Sequence, residues 1–385
     1  MTQSRRALSD KRTGRRFHRQ LAPGVPQCHS EARLATRRSR VSGAADTAAH
    51  GPKNLLFVPA AIPMEEQIRA TAPAPSAPDQ EPETRLNPLM SPPPLTLRAP
   101  AKVNLFLAVR GERPDGYHEV ETVLQAVSLW DELVMRQGRG ITVTCGNPDV
   151  PGGDNNLCCR AARLLAERTG HDVEAAGVAI VLRKHIPVQA GLGGGSSDAA
   201  ATLVGLNRLW GLRLRRQELI QIAAELGADV PFFIHGGAAL GTGRGERLER
   251  LAPGPVLHMV VANRGHGVST AWAYARWRHG GKGPPLRRLR SALEAGSPER
   301  IAGALRNDLE AAVLPHRCDI AELKARLMDA GAMGTLMCGS GSAVFGLVQT
   351  PRAAQDIAQS MCKNGIWARV VRSIRGGAAV APARR

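Results

Sequence analysis

Pro187-Val-Gln-Ala-Gly-Leu-Gly-Gly-Gly-Ser-Ser197, the glycine loop, is the most informative segment of this 385-residue chain. It lies between a short apolar run over 178–184 and a run with helical apolar spacing over 197–210. Glycine lets the backbone turn sharply and approach a ligand closely. The first N–H groups of the following helix point back at the loop, and this arrangement suits phosphate. A plain turn with Ser197 or Asp198 as helix N-cap is the alternative interpretation.

Two common nucleotide motifs do not match the glycine loop. A dinucleotide-binding fingerprint that starts at Gly191 requires a glycine where the sequence has Ser196. A Walker A loop requires Gly-Lys followed by Ser or Thr, and the sequence contains no such triplet. The loop is therefore interpreted as a phosphate site of another class.

Composition indicates a globular enzyme. Hydrophobic residues make up 43% of the chain, whereas aromatic residues make up only 3%, which disfavours a nucleic-acid binder built on aromatic stacking. The seven cysteines are odd in number and include no Cys-x-x-Cys pair, which is typical of free thiols in a reducing compartment. No run approaches the ~18 apolar residues of a membrane span, and the N-terminus has no apolar signal core. We therefore expect a cytoplasmic protein.

The net charge of +18 has two interpretations. Arginine outnumbers lysine by 44 to 7, and Ala, Gly and Pro are abundant. A bias in the coding sequence explains this composition without a functional cause. The other interpretation is a polyanionic partner.

Residues 1–95 differ from the rest of the chain. The first 50 residues carry 11 Lys and Arg against 3 Asp and Glu, and residues 71–95 are rich in Pro and Ala. Because neither part has a sustained apolar period, we expect this extension to be disordered. It is interpreted as upstream DNA translated from a wrongly assigned start with Met90 as the true start, as a targeting peptide, or as a basic arm that binds nucleic acid.

Regular patterns begin near residue 95 and predict an α+β fold, because strands and helices alternate without a clean βαβ repeat. Lys102, Asn104 and Phe106 are predicted on one face of the first strand. The predicted strands cover 97–110, 119–133, 140–145, 178–184, 256–262 and 342–348. The predicted helices cover 157–168, 197–210, 217–226, 320–330 and 352–363.

The glycine loop resembles the ATP loop of the GHMP kinases. Ala99–Leu107, Arg113–His118, Leu226–Phe233 (LGADVPFF) and Cys338–Ser342 add a resemblance, over residues 97–375, to the 4-diphosphocytidyl-2-C-methyl-D-erythritol kinases of that superfamily. The resemblance implies a two-lobed fold. It places a ribosomal protein S5 domain 2-like N-terminal lobe at 96–255, a ferredoxin-like C-terminal lobe at 256–375 and a flexible tail at 376–385.

The resemblance also implies a reaction, in which ATP phosphorylates a 2-hydroxyl group in non-mevalonate isoprenoid precursor biosynthesis. Asp229 is expected to take the hydroxyl proton, and Lys102 to polarise the hydroxyl and keep Asp229 ionised. Mg²⁺ is expected to accompany ATP without a dedicated set of protein ligands, with Ser196 or Ser197 as a possible hydroxyl ligand. ATP binding is assigned to Pro187, Val188, Gln189, Ala190, Gly191, Leu192, Gly193, Gly194, Gly195, Ser196 and Ser197.

The acceptor is expected to carry a cytidine diphosphate. The resemblance assigns its binding to Asn104, Tyr117, His118, Thr270 and Tyr274, with Trp272 as the competitor of Tyr274 for aromatic stacking.

The sequence departs from the family pattern at two places. Cys338 stands where a hydroxyl residue is usual, and Cys158-Cys159 replace the branched residues that usually follow the adenine-side segment Asp154–Leu157.

Two other functions stay open. Another GHMP kinase, of the homoserine or mevalonate type, is the nearest alternative. A nucleotide sensor or nucleic-acid binder that uses the basic extension is the alternative from another class.

Overall fold

The computed structural model describes residues 93–278 and 283–381. The predictions for the N-terminal extension, apart from its last residues, and for residues 382–385 lie outside the described residues. Twelve strands are described: β1 (Leu95–Glu112), β2 (His118–Gly138), β3 (Ile141–Cys145), β4 (Gly177–Arg183), β5 (Ala238–Thr242), β6 (Arg247–Arg250), β7 (His258–Asn263), β8 (Arg306–Asn307), β9 (Gly334–Met337), β10 (Val344–Val348), β11 (Trp367–Arg372) and β12 (Ala379–Val380). The α-helices among the same residues are α1 (Leu157–Thr169), α2 (Gly194–Leu209), α3 (Arg216–Leu226), α4 (Val230–His235), α5 (Thr270–Arg276), α6 (Leu286–Glu294), α7 (Pro298–Ala302), α8 (Glu310–Val313), α9 (Cys318–Asp329) and α10 (Pro351–Lys363).

The strands form two mainly antiparallel sheets, so the predicted α+β class is confirmed. The first sheet has the order β12-β1-β2-β4-β3, with β5 and β6 extending from β2 and with β8 beside β1. The second sheet has the order β11-β7-β10-β9, and every pairing in it is antiparallel. One large apolar cluster joins the first sheet to α1 and α2, and another joins the second sheet to α9 and α10.

β1 is buried on both faces along most of its length, and this burial explains its nearly continuous apolar sequence. The prediction that Phe106 shares a face with Lys102 and Asn104 is wrong. The register between β1 and β2 shifts between Asn104 and Phe106, which inserts Leu105 as a bulge. Phe106 consequently packs in the same apolar cluster as Leu105.

The described part of the predicted flexible tail, residues 376–381, contacts the first sheet. Ala379 and Val380 pair with Arg98 and Leu97 at the edge of the first sheet. Ala378 N–H also donates to the carbonyl oxygen of Phe233 at 2.7 Å. Backbone hydrogen bonds therefore fix this segment, which a Gly- and Ala-rich composition does not indicate.

Within the described ranges, no helix is long and apolar enough to cross a membrane.

Candidate active site

A cavity of about 1240 Å³ is lined by residues from both halves of the described fold. Lys102, Asn104, Asp229 and the glycine loop meet there with Tyr117 and Tyr274. Segments that are distant in sequence, from Lys102 to Ser340, thus share one concave surface, which is the usual setting of a small-molecule site.

The Lys102 ammonium is fixed within this cavity by a chain of hydrogen bonds. Lys102 Nζ donates to Asn104 Oδ1 at 2.7 Å, and Asn104 Nδ2 donates to Thr122 Oγ1 at 2.8 Å. Thr122 Oγ1 then donates to the carbonyl oxygen of Phe106 at 2.8 Å. Lys102 is buried, and its amine lies 3.9 Å from Asp229 Oδ2. The cation is therefore held in position next to one carboxylate and does not need to be ordered when a ligand arrives.

Asp229 occupies the N-cap position of α4, yet its side chain makes no capping hydrogen bond. The carboxylate is 39% exposed and faces the cavity. Pro231 lies in the first turn of α4, where the missing N–H costs nothing. The helix start thus positions Asp229 while leaving its oxygens available to a ligand.

The glycine loop requires glycine at two positions. Gly191 has φ of 75°, and a Cβ atom there would lie 1.8 Å from the carbonyl oxygen of Cys338. Gly193, with φ of 73°, is the N-cap of α2, and a Cβ atom would lie 2.6 Å from the ring of Phe233. The loop can pass between these groups only without side chains.

Helix α2 begins at Gly194, earlier than the sequence predicted, so the last glycines belong to its first turn. Nine of the eleven residues of the glycine loop line the cavity. The exceptions are Leu192 and Ser197, both of which are buried. The carbonyl oxygen of Leu192 accepts a 3.0 Å hydrogen bond from the backbone N–H of Lys102, which ties the loop to β1.

The start of α1 lies beside the loop, at the predicted adenine-side segment. Asn156 caps this helix, since its Oδ1 accepts from the backbone N–H of Cys158 at 2.8 Å. Asn156, Leu157 and Cys158 line the cavity, whereas Asp154 is largely exposed and pairs with Arg163 at 2.6 Å. The segment therefore presents a mixed polar and apolar wall.

A buried cluster of three ionisable side chains lies beneath the glycine loop. Lys184 Nζ is 2.5 Å from Asp131 Oδ2 and 2.7 Å from Asp198 Oδ2. Burial raises the pKa of Asp198 to about 7, against the lowering effect of the Lys184 charge and with a further increase from Asp131. We call these three residues the loop clamp.

The turn before β2 presents Tyr117 to the cavity. The Arg113 guanidinium hydrogen-bonds Asp115, and Asp115 Oδ1 accepts from the backbone N–H of Tyr117 at 3.1 Å. Tyr117 is 56% exposed, and the Arg244 guanidinium carbon lies 4.8 Å from the centroid of its ring. One ring face thus has a cationic partner.

Tyr274 lies in the cavity and Trp272 does not. The Tyr274 ring centroid is 5.0 Å from that of His118, and loss of contact with water, with the Asp229 charge as a smaller cause, raises the pKa of Tyr274. Trp272 instead contacts His316 and has the Arg276 guanidinium 4.2 Å from its ring centroid. Tyr274 is therefore the better placed of the two to meet a ligand.

Another side of the site is closed by Cys338–Ser342, which we call the third glycine segment. Thr270 Oγ1 and Ser340 Oγ are 3.0 Å apart, and both residues line the cavity. Asn307 Nδ2 donates to the carbonyl oxygens of Met337 and Gly339 at 2.8 and 2.7 Å. The Cys338 side chain is fully buried, and burial raises the pKa of its thiol to about 12. Cys338 thus acts as a neutral apolar group here.

Sequence reasoning missed Arg244, Asn307 and the loop clamp, and it named Ser340 only as part of the segment Cys338–Ser342. A signal for Arg244 was present, because Gly243-Arg244-Gly245 is a tight glycine turn that must expose its central side chain. Asn307 and the clamp had no local signal, since their partners are distant in sequence.

Comparison with known proteins agrees with this geometry. The sequence matches the family GHMP kinases N terminal domain over residues 156–237 and the family GHMP kinases C terminal over residues 289–366. A 4-diphosphocytidyl-2-C-methyl-D-erythritol kinase of Synechococcus sp. (strain JA-2-3B'a(2-13)) is 49% identical over 266 residues, which are 66% of this chain and 85% of the relative. The enzyme of that name from Pelotomaculum thermopropionicum is 46% identical over 69% of this chain and 92% of the relative.

The similar solved structures include a kinase of the same name. A crystal structure of 4-(cytidine 5'-diphospho)-2C-methyl-D-erythritol kinase has a TM-score of 0.63 and 38% identity, and the match covers 74% of this chain and 100% of that one. A homoserine kinase from Cytophaga hutchinsonii, at 22% identity and a TM-score of 0.60 over 77% of this chain and 100% of that one, shares the fold. This chain therefore belongs to the GHMP kinases and, within them, to the family of 4-diphosphocytidyl-2-C-methyl-D-erythritol kinases.

Proposed function

We propose that the chain transfers the γ-phosphoryl group of ATP to the 2-hydroxyl of 4-diphosphocytidyl-2-C-methyl-D-erythritol. The acceptor oxygen forms a bond to the γ-phosphorus, the bond from that phosphorus to the bridging oxygen breaks, and ADP leaves. The hydroxyl proton goes to a base. Since the reactants are small and polar, we expect the reaction to take place in the cytoplasm.

Asp229 is the base in this proposal. Its carboxylate is partly exposed to the cavity, makes no capping bond and has the Lys102 ammonium 3.9 Å away. Phosphoryl transfer asks the protein mainly to position the hydroxyl, accept its proton and neutralise spreading charge. Lys102 meets the last requirement, because its fixed ammonium can stabilise negative charge on the attacking oxygen. Asn104, which holds Lys102, is placed to contact the same part of the acceptor.

ATP phosphates are assigned to the glycine loop. The first turn of α2 offers unpaired N–H groups and the positive end of a 16-residue helix. Among the described residues, no three His, Cys, Asp or Glu side chains form a metal-binding group. Ser196 faces the cavity and offers a hydroxyl, which fits Mg²⁺ held mainly by phosphate oxygens and water. When bound, Mg²⁺ would neutralise phosphate charge.

The cytidine diphosphate end is assigned to the aromatic side of the cavity. Tyr117 and Tyr274 offer ring faces for cytosine, and His118, whose ring centroid is 5.0 Å from that of Tyr274, has ring nitrogens that can hydrogen-bond a base edge. Thr270 borders the same region. We add Arg244 to this set, because its guanidinium beside Tyr117 suits an acceptor that carries a diphosphate.

The observation that carries the proposal is the single cavity that joins the Lys102–Asp229 pair to both the glycine loop and the Tyr117 turn. Homoserine and mevalonate have no cytidine, so kinases for them would not need the aromatic side.

The test measures ADP release from ATP with each of three acceptors, namely the cytidylyl compound, mevalonate and homoserine. We expect turnover of the cytidylyl compound alone. Turnover of either plain alcohol without turnover of the cytidylyl compound would overturn the proposal.

A further inference from the structure

The loop clamp joins three elements that meet under the glycine loop. Asp131 belongs to β2, Lys184 follows β4, and Asp198 lies in α2. The exposed fractions of their side chains are 0%, 5% and 4%. Burying charged groups costs free energy unless their geometry and hydrogen bonds compensate, so such a cluster is weak evidence for a role in stability alone.

The clamp fixes both ends of the glycine loop. Asp131 Oδ1 accepts hydrogen bonds from the backbone N–H groups of His185 and Ile186, at 2.5 and 2.9 Å, directly before the loop begins. Asp198 directly follows the last residue of the loop. Lys184 Nζ connects the two carboxylates, so one ammonium sets the distance between entry and exit of the loop.

The middle of the loop is held by other contacts. The carbonyl oxygens of Gln189, Ala190 and Leu192 accept backbone hydrogen bonds from residues 268, 343 and 102. These bonds hold the middle of the loop in place at the cavity wall. The clamp, in contrast, holds the first turn of α2. A Cβ atom built at Gly194 would lie 3.0 Å from Lys184 Nζ, so the ammonium packs directly under the first helical residue.

We infer that Lys184 is a positioning residue for ATP, acting through Asp131 and Asp198 to aim the first N–H groups of α2 at the phosphates. This inference rests on the proposed role of the glycine loop in ATP binding. Without the ammonium, the Asp131 and Asp198 carboxyl groups would lose the group that bridges them, so the distance between the entry and the exit of the loop would no longer be fixed.

Two variants test the inference, each compared with wild type at about pH 8, which is above the pKa of about 7 of Asp198 in the folded wild-type chain. Lys184→Met removes the charge and keeps the length of the side chain, and Asp198→Asn keeps the shape of the carboxylate. We expect each to raise the KM for ATP and the Kd of a fluorescent ATP analogue by about tenfold, because small displacements of positioning groups carry costs of this order. The KM for the acceptor should change by less than about twofold, since the hydrogen bonds of the clamp join the two ends of the glycine loop.

Arg306→Met is the matched control. Arg306 forms another buried ion pair, at 2.7 Å from Asp308, with side chains 11% and 2% exposed. This pair does not line the cavity. Its loss should lower the Tm and leave ATP binding within about twofold of wild type, since it removes stability without moving the loop.

An unchanged ATP affinity in Lys184→Met and Asp198→Asn, with Tm losses like that of Arg306→Met, would reduce the clamp to a structural role. If Lys184→Met does not fold, Asp198→Asn decides by itself. Analogue binding needs no acceptor, so a wrong acceptor assignment would leave this test readable, while failure of wild type to bind the analogue would refute the proposed function itself.

Discussion

Asp229 lies 3.9 Å from the Lys102 ammonium with its oxygens free of the helix that follows. Replacing it with Asn keeps the shape and removes the proton acceptor. We expect Asp229→Asn to lower kcat by about 10³-fold, within the usual contribution of a general base. The Kd of the ATP analogue should not change, because the phosphates are assigned to the loop. Steady-state kinetics beside analogue titration make the test, and a kcat within about tenfold of wild type would exclude Asp229 as the base.

Asp198 predicts how stability depends on pH. Its carboxyl titrates near pH 4 when unfolded and at about 7 when folded, facing Lys184, Asp131 and Cys158. Between these values the folded state binds the extra proton, so this group's contribution to stability is present at low pH and is lost as pH rises to about 7. Urea unfolding of wild type and Asp198→Asn at several pH values should show wild type losing stability relative to the variant from about pH 5 to 7. If wild type instead gained stability relative to Asp198→Asn as the pH rises, this titration would be contradicted.

Tyr117 is predicted to affect one substrate only. We expect Tyr117→Ala to raise the KM for the cytidylyl acceptor by about tenfold, the order of one lost base–aromatic stack, without changing the KM for ATP. Trp272→Ala is the control, since Trp272 contacts Arg276 and His316 outside the cavity. Equal effects of the two variants in steady-state kinetics would argue against the assigned cytidine side.

At the scale of elements, the backbone path of the glycine loop requires close contact with the third glycine segment. A Cβ atom at Gly191 would meet the Cys338 carbonyl, whereas Gly211, with a similar φ of 64°, has open space around it. We expect Gly191→Ala to abolish detectable ATP-analogue binding and to lower the Tm strongly, because backbone must move. Gly211→Ala should cost only about 1 kcal/mol of backbone strain and retain binding. Similar losses of ATP-analogue binding and of Tm in both variants would mean that the positive φ, and not the contact with Cys338, makes glycine necessary at position 191.

The sequence predicted element types better than element contacts. Strand β1 and helix α2 were predicted because apolar period and glycine punctuation are local signals. The bulge at Leu105 was not, since it arises from pairing with β2. The helical state of Gly194 and Gly195 was also missed, because glycine is a poor helix former and only tertiary contacts hold it there.

At the scale of the whole molecule, the sequence located most of the candidate site because its segments carry family motifs. It did not locate the loop clamp, in which Asp131 and Lys184 are 53 residues apart. Nor did it indicate that Asn307 holds the backbone at Gly339 from 32 residues away. Such contacts follow from the fold and leave no pattern within one segment.

The extent of the matches to the relatives predicts that Met90–Arg385 is active without residues 1–89. The matches to the two kinases cover 66% and 69% of this chain, and the described fold begins just before β1. We expect a shortened chain, Met90–Arg385, to keep kcat and both KM values within about twofold of the full chain. Steady-state kinetics of both chains check this, and a large loss of activity would assign residues 1–89 a part in the reaction.

The most direct test of the account is ³¹P NMR of a reaction containing the full chain, ATP, Mg²⁺ and 4-diphosphocytidyl-2-C-methyl-D-erythritol. We predict one new phosphomonoester signal, from the 2-phosphate of the acceptor, that grows together with ADP, and no such signal with Asp229→Asn. Release of inorganic phosphate in place of the phosphomonoester, or an equal phosphomonoester signal from Asp229→Asn, would contradict it.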